Sequence, residues 1–238
     1  MSKASTLEEK KEKILDLAAA ALTQHGAIGF RFSDLAKQAG CSNTTLYKIF
    51  SSKEDLLVEL FTLNMKHANT LVEQALELQE VSLRSRLLLA YLIEPCWSVT
   101  NQNTTIWINF IANHNSLVHQ ANGDKIQTLR ATLRRNSSLL NAAWQQAVTS
   151  GELISDIESA FNVQKRIVMA QRGAISLMNN YFMQEEESFN LSGLHDNIAN
   201  QMAQLSWSPD VVETPVELLL ERHFTELHQT LFCDESVG

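Results

Sequence analysis

The chain has 238 residues, 45% of them apolar and 19% charged, which is the composition of a folded globular protein and excludes a wholly disordered one. Eight Gly and three Pro are too few for the closely spaced turns of an all-β sandwich or barrel. The formal net charge is −8 and is unevenly spread: residues 1–60 hold eight Lys/Arg and eight Asp/Glu, so all the excess acid lies in residues 61–238. An acidic body argues against nucleic-acid binding over the whole surface, while the neutral first 60 residues leave room for a reader confined to them.

Taken in chain order, the sequence predicts helix after helix. Ser5 with Glu8 and Thr6 with Glu9 are two overlapping capping boxes, followed by Ile14, Leu15, Ala18, Ala21 and Leu22 on one face; Gly26 is the expected end of this helix. A second helix is expected from Ser33 or Asp34 to Gly40, and a third from Asn43 to Phe50 with Ser42 as its cap. Ser51-Ser52-Lys53-Glu54 is a further capping box, opening a long helix towards Leu78. Beyond residue 80, helices are expected over 81–100, 103–120, 123–150, 158–185, 191–206 and 214–232. Pro95 is expected to kink or end the first of these near Glu94. No strand stands out, so the fold class expected is all-α.

Several classes drop out on local grounds. The longest apolar run, Leu87–Ile93, is seven residues, where a membrane-spanning helix needs about 20. The first residues are not followed by the apolar core of a signal peptide, so the expected location is cytoplasmic, with no membrane partner. Cys41, Cys96 and Cys233 lie too far apart for a disulfide framework or a metal-ligand set. His114 and His119, five apart, fall on different helix faces, and no nucleophile elbow or Gly-rich phosphate loop occurs. The expectation is therefore no enzyme, no cofactor and no metal. Glu185–Glu187 reads as a solvated helix end, and Arg130, Arg134 and Arg135 as surface.

Residues 33–50 carry the chemistry. Leu35, Ala36 and Ala39 make one face that lets a second helix approach closely, and Gly40 allows the left-handed backbone of a sharp turn. Leu46 and Phe50 anchor the next helix to the same small core, with Cys41 as a small apolar packing residue. The opposite face shows Asn43, Thr44, Thr45, Tyr47 and Lys48, donors and acceptors of the length that reaches base edges and phosphates in a major groove. Physically this is a helix-turn-helix.

Over residues 10–57 the sequence resembles the TetR family of bacterial transcriptional regulators. The resemblance is carried by Ile14-Leu15, Ala18-Ala19 and Gly26, by Leu35-Ala36 with Ala39-Gly40-Cys41-Ser42, by Thr45-Leu46-Tyr47 and Phe50, and by Ser52-Lys53-Glu54 with Leu56-Leu57. It implies a recognition helix at 44–50, a phosphate contact from Tyr47 and a backbone contact from Lys53. Asn43, Thr44 and Lys48 then stand at positions that read bases or backbone, with Lys48 expected at a guanine edge or a phosphate. The chain departs from the family at Thr44, where Gly is common, at Ile49, where His or Tyr is common, and at Phe32, where Thr is common. Ser33 is expected to take over the capping and phosphate role of that Thr.

The resemblance and the fold class together imply a helix-turn-helix domain over 1–52 and a larger helical ligand-binding and dimerisation domain over 53–238. Two apolar stripes suit a homodimer: Phe161, Ile167, Val168, Ala174, Ile175, Met178 and Phe182 in 158–185, interrupted by Gln171, and Val216, Leu219, Leu220, Phe224, Leu227 and Leu231 in 214–232. Residues 191–206 are the alternative to the second stripe. The expected effector contacts are Tyr91, Glu94, Trp97, Trp107, Phe110, Asn113, His114 and Trp144, a mixture of aromatic wall and polar group that also suits an ordinary core. The function expected is a ligand-responsive regulator, a repressor rather than an activator. It would bind an inverted-repeat double-stranded operator as a dimer and be released by a small-molecule effector. The alternative is a helical ligand-binding or interaction protein that keeps the fold without specific DNA binding.

Overall fold

The computed structural model of the chain describes residues 3–29, 31–100, 119–178 and 190–232. The described residues hold ten helices: α1 (Lys3–Gly29), α2 (Phe32–Ala39), α3 (Asn43–Ile49), α4 (Lys53–Leu76), α5 (Leu83–Thr100), α6 (Gly123–Thr149), α7 (Ile157–Met178), α8 (Leu191–Met202), α9 (Val216–His223) and α10 (Thr225–Phe232). No strand occurs among them, and Leu153 and Trp207 form one isolated antiparallel bridge. The protein is all-α, with an amino-terminal helix-turn-helix and a larger helical domain. None of the described helices is long and apolar enough to cross a membrane.

The backbone gathers into two compact units, one of residues 1–66 with 103–133, the other of 67–102 with 134–238. In the first unit, Ile14, Leu15, Ala18 and Leu22 of α1 pack with Leu35, Ala36 and Ala39 of α2, Leu46 of α3, Phe50, and Leu56, Leu57 and Leu60 of α4. The opposite side of α4, with Val58, Phe61 and Met65, packs on Ile126 and Leu129 of α6. These two sets of α4 residues differ in helical phase, so the helix is buried on two sides here.

In the second unit α5 is the axis of the core. Every residue from Leu87 to Ile93 is buried, which is why this run is apolar without a polar face. Around it lie Leu140, Ala143, Trp144 and Ala147 of α6, Ala160, Val163 and Ile167 of α7, and Leu194, Ile198 and Met202 of α8. The buried Arg86 closes the preceding turn, donating Nε to the Val81 carbonyl (2.5 Å), Nη1 to Leu76 (3.2 Å) and Nη2 to Gln79 (3.3 Å). These carbonyls follow the end of α4, where a cation is favoured and acceptors lack helical donors.

Several boundaries differ from those the sequence suggests. The first helix passes through Gly26 to Gly29, and its start at Lys3 puts Ser5 and Thr6 inside it rather than at its cap. The cap of α4 is shifted by one residue: Ser52 Oγ, not Ser51, accepts the N–H three residues on, that of Asp55 (3.1 Å). Helix α5 continues through Pro95 to Thr100. The missing Pro95 amide leaves the Tyr91 carbonyl without its helical donor, and the buried Gln171 of α7 donates Nε2 to it at 2.9 Å. That accounts for the polar residue interrupting an apolar face.

The expected last helix is two, broken at Phe224 (φ −136°, ψ 54°). Its stripe of Val216, Leu219, Leu220, Phe224 and Leu227 is buried in the chain's own core, so that face is not open to a second copy. Leu194, Ile198, Met202 and Leu205 are buried in the same core. The expected helix over 103–120 reaches into the described residues only at His119 and Gln120, which are helical; its remainder, Phe182, the Leu231 side chain and the run Glu185–Glu187 lie outside them.

Candidate nucleic-acid interface

The turn between α2 and α3 is built from local hydrogen bonds. Gly40 takes φ 69° and ψ 35°, its N–H donating to the Lys37 carbonyl (3.2 Å), while the Cys41 N–H donates to Ala36 (2.9 Å). This pair of bonds is a Schellman closure. Ser42 then caps α3: its Oγ accepts the Thr45 N–H at 3.1 Å and lies 3.0 Å from Thr45 Oγ1. A Cβ on Gly40 would meet no atom within 4 Å, so only its left-handed backbone opposes substitution. Gly40→Ala is expected to cost about 1 kcal/mol and Gly40→Asn clearly less, both read from urea denaturation midpoints.

With Leu46 and Phe50 wholly buried, α3 turns its other face outwards. Asn43, Thr44, Tyr47 and Lys48 are exposed, Tyr47 by 54%. Thr45 is half-buried, its amide and hydroxyl engaged with the Ser42 cap. Lys53 is half-buried at the first residue of α4, and burial holds its ammonium below the usual value against the pull of Glu54. Ser33 is exposed but lies inside α2, whose N-cap is Arg31 with no side-chain cap bond. The expected capping role of Ser33 is therefore corrected: the N-cap lies two residues earlier, at Arg31.

The two apolar departures from the family both pack. Phe32 and Ile49 are half-buried against the helix-turn-helix core, as is Cys41. The Phe32 ring also meets Tyr47 edge-on, with centroids 5.4 Å apart and planes at 77°.

Behind this surface sits a buried carboxylate. Asp55 accepts the Ser51 N–H at 2.9 Å and makes short contacts with the Ser51 hydroxyl and the Asn122 N–H. Burial alone would raise its pKa, but these donors and the Lys125 charge hold it below the ordinary carboxylate range. Lys125 lies over the Phe50 ring at 4.2 Å and 3.7 Å from Glu59, which pairs with Lys11 at 3.0 Å. Burial lowers the Lys125 pKa despite Asp55 and Glu59. Asn122 and Lys125 lie about 70 residues from the turn they support, and nothing in their local sequence singles them out.

The expected effector residues divide. Tyr91 and Trp144 are fully buried together, Trp144 Nε1 donating to Tyr91 Oη at 2.8 Å. Burial raises the Tyr91 pKa, and it likewise pushes the Cys96 thiol up to about 12. Glu94 forms an ion pair with Arg172 of α7, and the half-buried Trp97 packs on His67, ring centroids 4.3 Å apart. Trp107, Phe110, Asn113 and His114 lie outside the described residues. An open cleft of about 460 Å³ is lined by Glu80, Ser82, Glu152, Ser208, Asp210 and Thr214 among others and includes none of the four expected effector residues that are described, Tyr91, Glu94, Trp97 and Trp144.

Residues 14–60 match the family model described as "Bacterial regulatory proteins, tetR family", the span from Ile14 to Leu60 that bounds the helix-turn-helix core. This region is a TetR-family DNA-binding domain. Beyond it, the TetR-type fold extends over most of the chain. The TetR-family regulator PfmR from Thermus thermophilus superposes with a TM-score of 0.55 at 20% identity, over 80% of this chain and 97% of that one. The regulator FadR from Bacillus subtilis, solved with stearoyl-CoA, gives 0.59 at 20% identity over 79% and 95%. A TetR regulator from Haloarcula marismortui gives 0.61 at 15% identity over 84% and 100%. No curated protein matches the chain in sequence. Within the TetR-type domain, α3 is the second helix of the helix-turn-helix, and its polar face is exposed.

Proposed function

We propose that the protein is a ligand-responsive transcriptional repressor that binds an inverted-repeat operator as a homodimer and is released by a small-molecule effector. The observation that carries this reading is the exposed set Asn43, Thr44, Tyr47 and Lys48, on a helix held by Leu46 and Phe50 inside a TetR-family domain. In this reading residues 1–52 bind DNA in the cytoplasm and 53–238 bind effector and partner. Tyr47 and Lys53 contact the DNA backbone, Ser33 and Thr45 flank them, and Asn43, Thr44 and Lys48 face the groove. One helix-turn-helix reads few base pairs, so two-fold pairing is needed for an operator. The partner-facing helix is α7, whose outer side exposes Met169 by 67%.

The stearoyl-CoA complex of the similar FadR supports a small-molecule effector for this body. Glu94, Trp97, Trp107, Phe110, Asn113 and His114 are the proposed contacts, while Tyr91 and Trp144 are fully buried and hydrogen-bonded to each other. The effector works by favouring a state that binds the operator less well, and a coupling of about 1–3 kcal/mol lowers affinity roughly 5–150-fold.

Selection of bound duplexes from a random pool at two salt concentrations tests the reading. An inverted repeat with half-sites about one helical turn apart is the expected product. On that duplex, Lys48→Ala is expected to weaken binding; if Lys48 meets a phosphate the salt slope falls by about one with base preference kept. Binding without any enriched sequence would favour the interaction-protein alternative instead.

A further inference from the structure

We propose that Phe32 is a positioning residue of the DNA interface, its ring fixing the direction in which the Tyr47 hydroxyl meets a backbone phosphate. The inference rests on the regulator reading above. Tyr47 is 54% exposed on α3, so its ring lies mostly outside the packed core. What meets it is the first residue of α2: Phe32 is half-buried against Leu35, Ala36 and their neighbours, and its ring stands at 77° to that of Tyr47 with centroids 5.4 Å apart. Edge-to-face contact at this separation is the arrangement that the ring quadrupoles favour.

The consequence is chemical as well as geometric. A hydroxyl side chain at residue 32 could itself bond a phosphate, whereas a phenyl ring cannot. Phe32 acts instead through its neighbour, holding one orientation of a side chain that would otherwise lose its freedom on binding. Ordering a side chain before the encounter removes that cost from association. Because Phe32 is anchored in the core shared by α1 to α4, the brace is attached to the part of the domain that also fixes α3.

The test is a double-mutant cycle on the duplex most enriched by selection, with wild type, Phe32→Leu, Tyr47→Phe and the double variant compared at two salt concentrations. Phe32→Leu is expected to weaken binding about three- to tenfold and to change it less than about twofold in the Tyr47→Phe background. The salt slope is expected to be the same for all four, since no cation is removed. Phe32→Tyr, which keeps the ring and adds a hydroxyl able to bond a phosphate itself, is expected to bind no more than about twofold more weakly than wild type. It also carries the test if Phe32→Leu does not fold, in which case a tenfold loss in Phe32→Tyr overturns the proposal. Wild-type affinity in Phe32→Leu, or an equal loss with and without the Tyr47 hydroxyl, likewise overturns it while leaving the regulator reading intact. Failure of the wild type to enrich any duplex overturns the regulator reading and this inference with it.

Discussion

Asp55→Ala is expected to lower stability by about 3 kcal/mol, with the turn after α3 losing its protection first. The carboxylate is buried and accepts the Ser51 N–H, the Ser51 hydroxyl and the Asn122 N–H while facing Lys125. Removing it leaves two backbone donors and the Ser51 hydroxyl without their acceptor and takes away a charge that faces Lys125. Hydrogen bonds to a charged group contribute about 1.5–3 kcal/mol each, and the loss falls on the groups left behind. Asp55→Asn keeps one acceptor oxygen and is expected to lose less. Urea denaturation gives the magnitude, and hydrogen exchange of amides 43–58 locates it. An Asp55→Ala protein as stable as wild type would show that these donors find water at no cost.

The same bonds predict an acid dependence. The folded-state pKa of Asp55 is depressed relative to the unfolded chain. Its contribution is therefore complete from about one unit above the unfolded value of about 4, and is lost as pH falls from there through that value towards the lower folded one. Wild type should lose stability through that window more steeply than Asp55→Asn, which has no carboxyl to titrate.

Gln171→Leu is expected to cost about 1–3 kcal/mol even though it makes the face of α7 uniformly apolar. The substitution removes the donor to the Tyr91 carbonyl, which the Pro95 ring has already deprived of its helical amide. A buried acceptor without a partner carries its full desolvation penalty. Pro95→Ala restores an amide at that place, so in the double variant the cost of Gln171→Leu should shrink by about 1 kcal/mol or more. Equal costs in the two backgrounds, read from urea titrations, would dissociate Gln171 from Pro95. The Trp144–Tyr91 bond on the same residue offers a local probe, because loosening here exposes a tryptophan that is otherwise wholly buried.

The helix-turn-helix was legible because its determinants are close in sequence. Gly40, Ser42 and Thr45 make their bonds within five residues of one another, and the Leu46–Phe50 spacing alone places one face inwards. The errors have equally particular causes. Ser51 and Ser52 are locally equivalent caps, and the choice between them goes with Asp55, which is held from Asn122, 67 residues away. Gly26 costs about 1 kcal/mol in a helix interior, a penalty that packing of α1 can outweigh. Phe224 continues an apolar stripe by spacing, yet its buried ring sits where the backbone leaves the helix.

Periodicity states that a face is apolar and leaves open what covers it. The stripe of α9 and α10 looked suited to a second copy and is covered by the chain's own core. Tyr91 and Trp144 read as pocket walls, and the structure buries both, with Trp144 Nε1 donating to Tyr91 Oη. Helix positions, the sharp turn and the polar face of α3 follow from propensity and neighbouring hydrogen bonds, which any short segment carries with it. The partner of a buried carbonyl, the acceptor of a distant amide and the owner of an apolar stripe depend on residues brought together from far along the chain. Burial and hydrogen-bond satisfaction belong to that packed set rather than to any one of its segments.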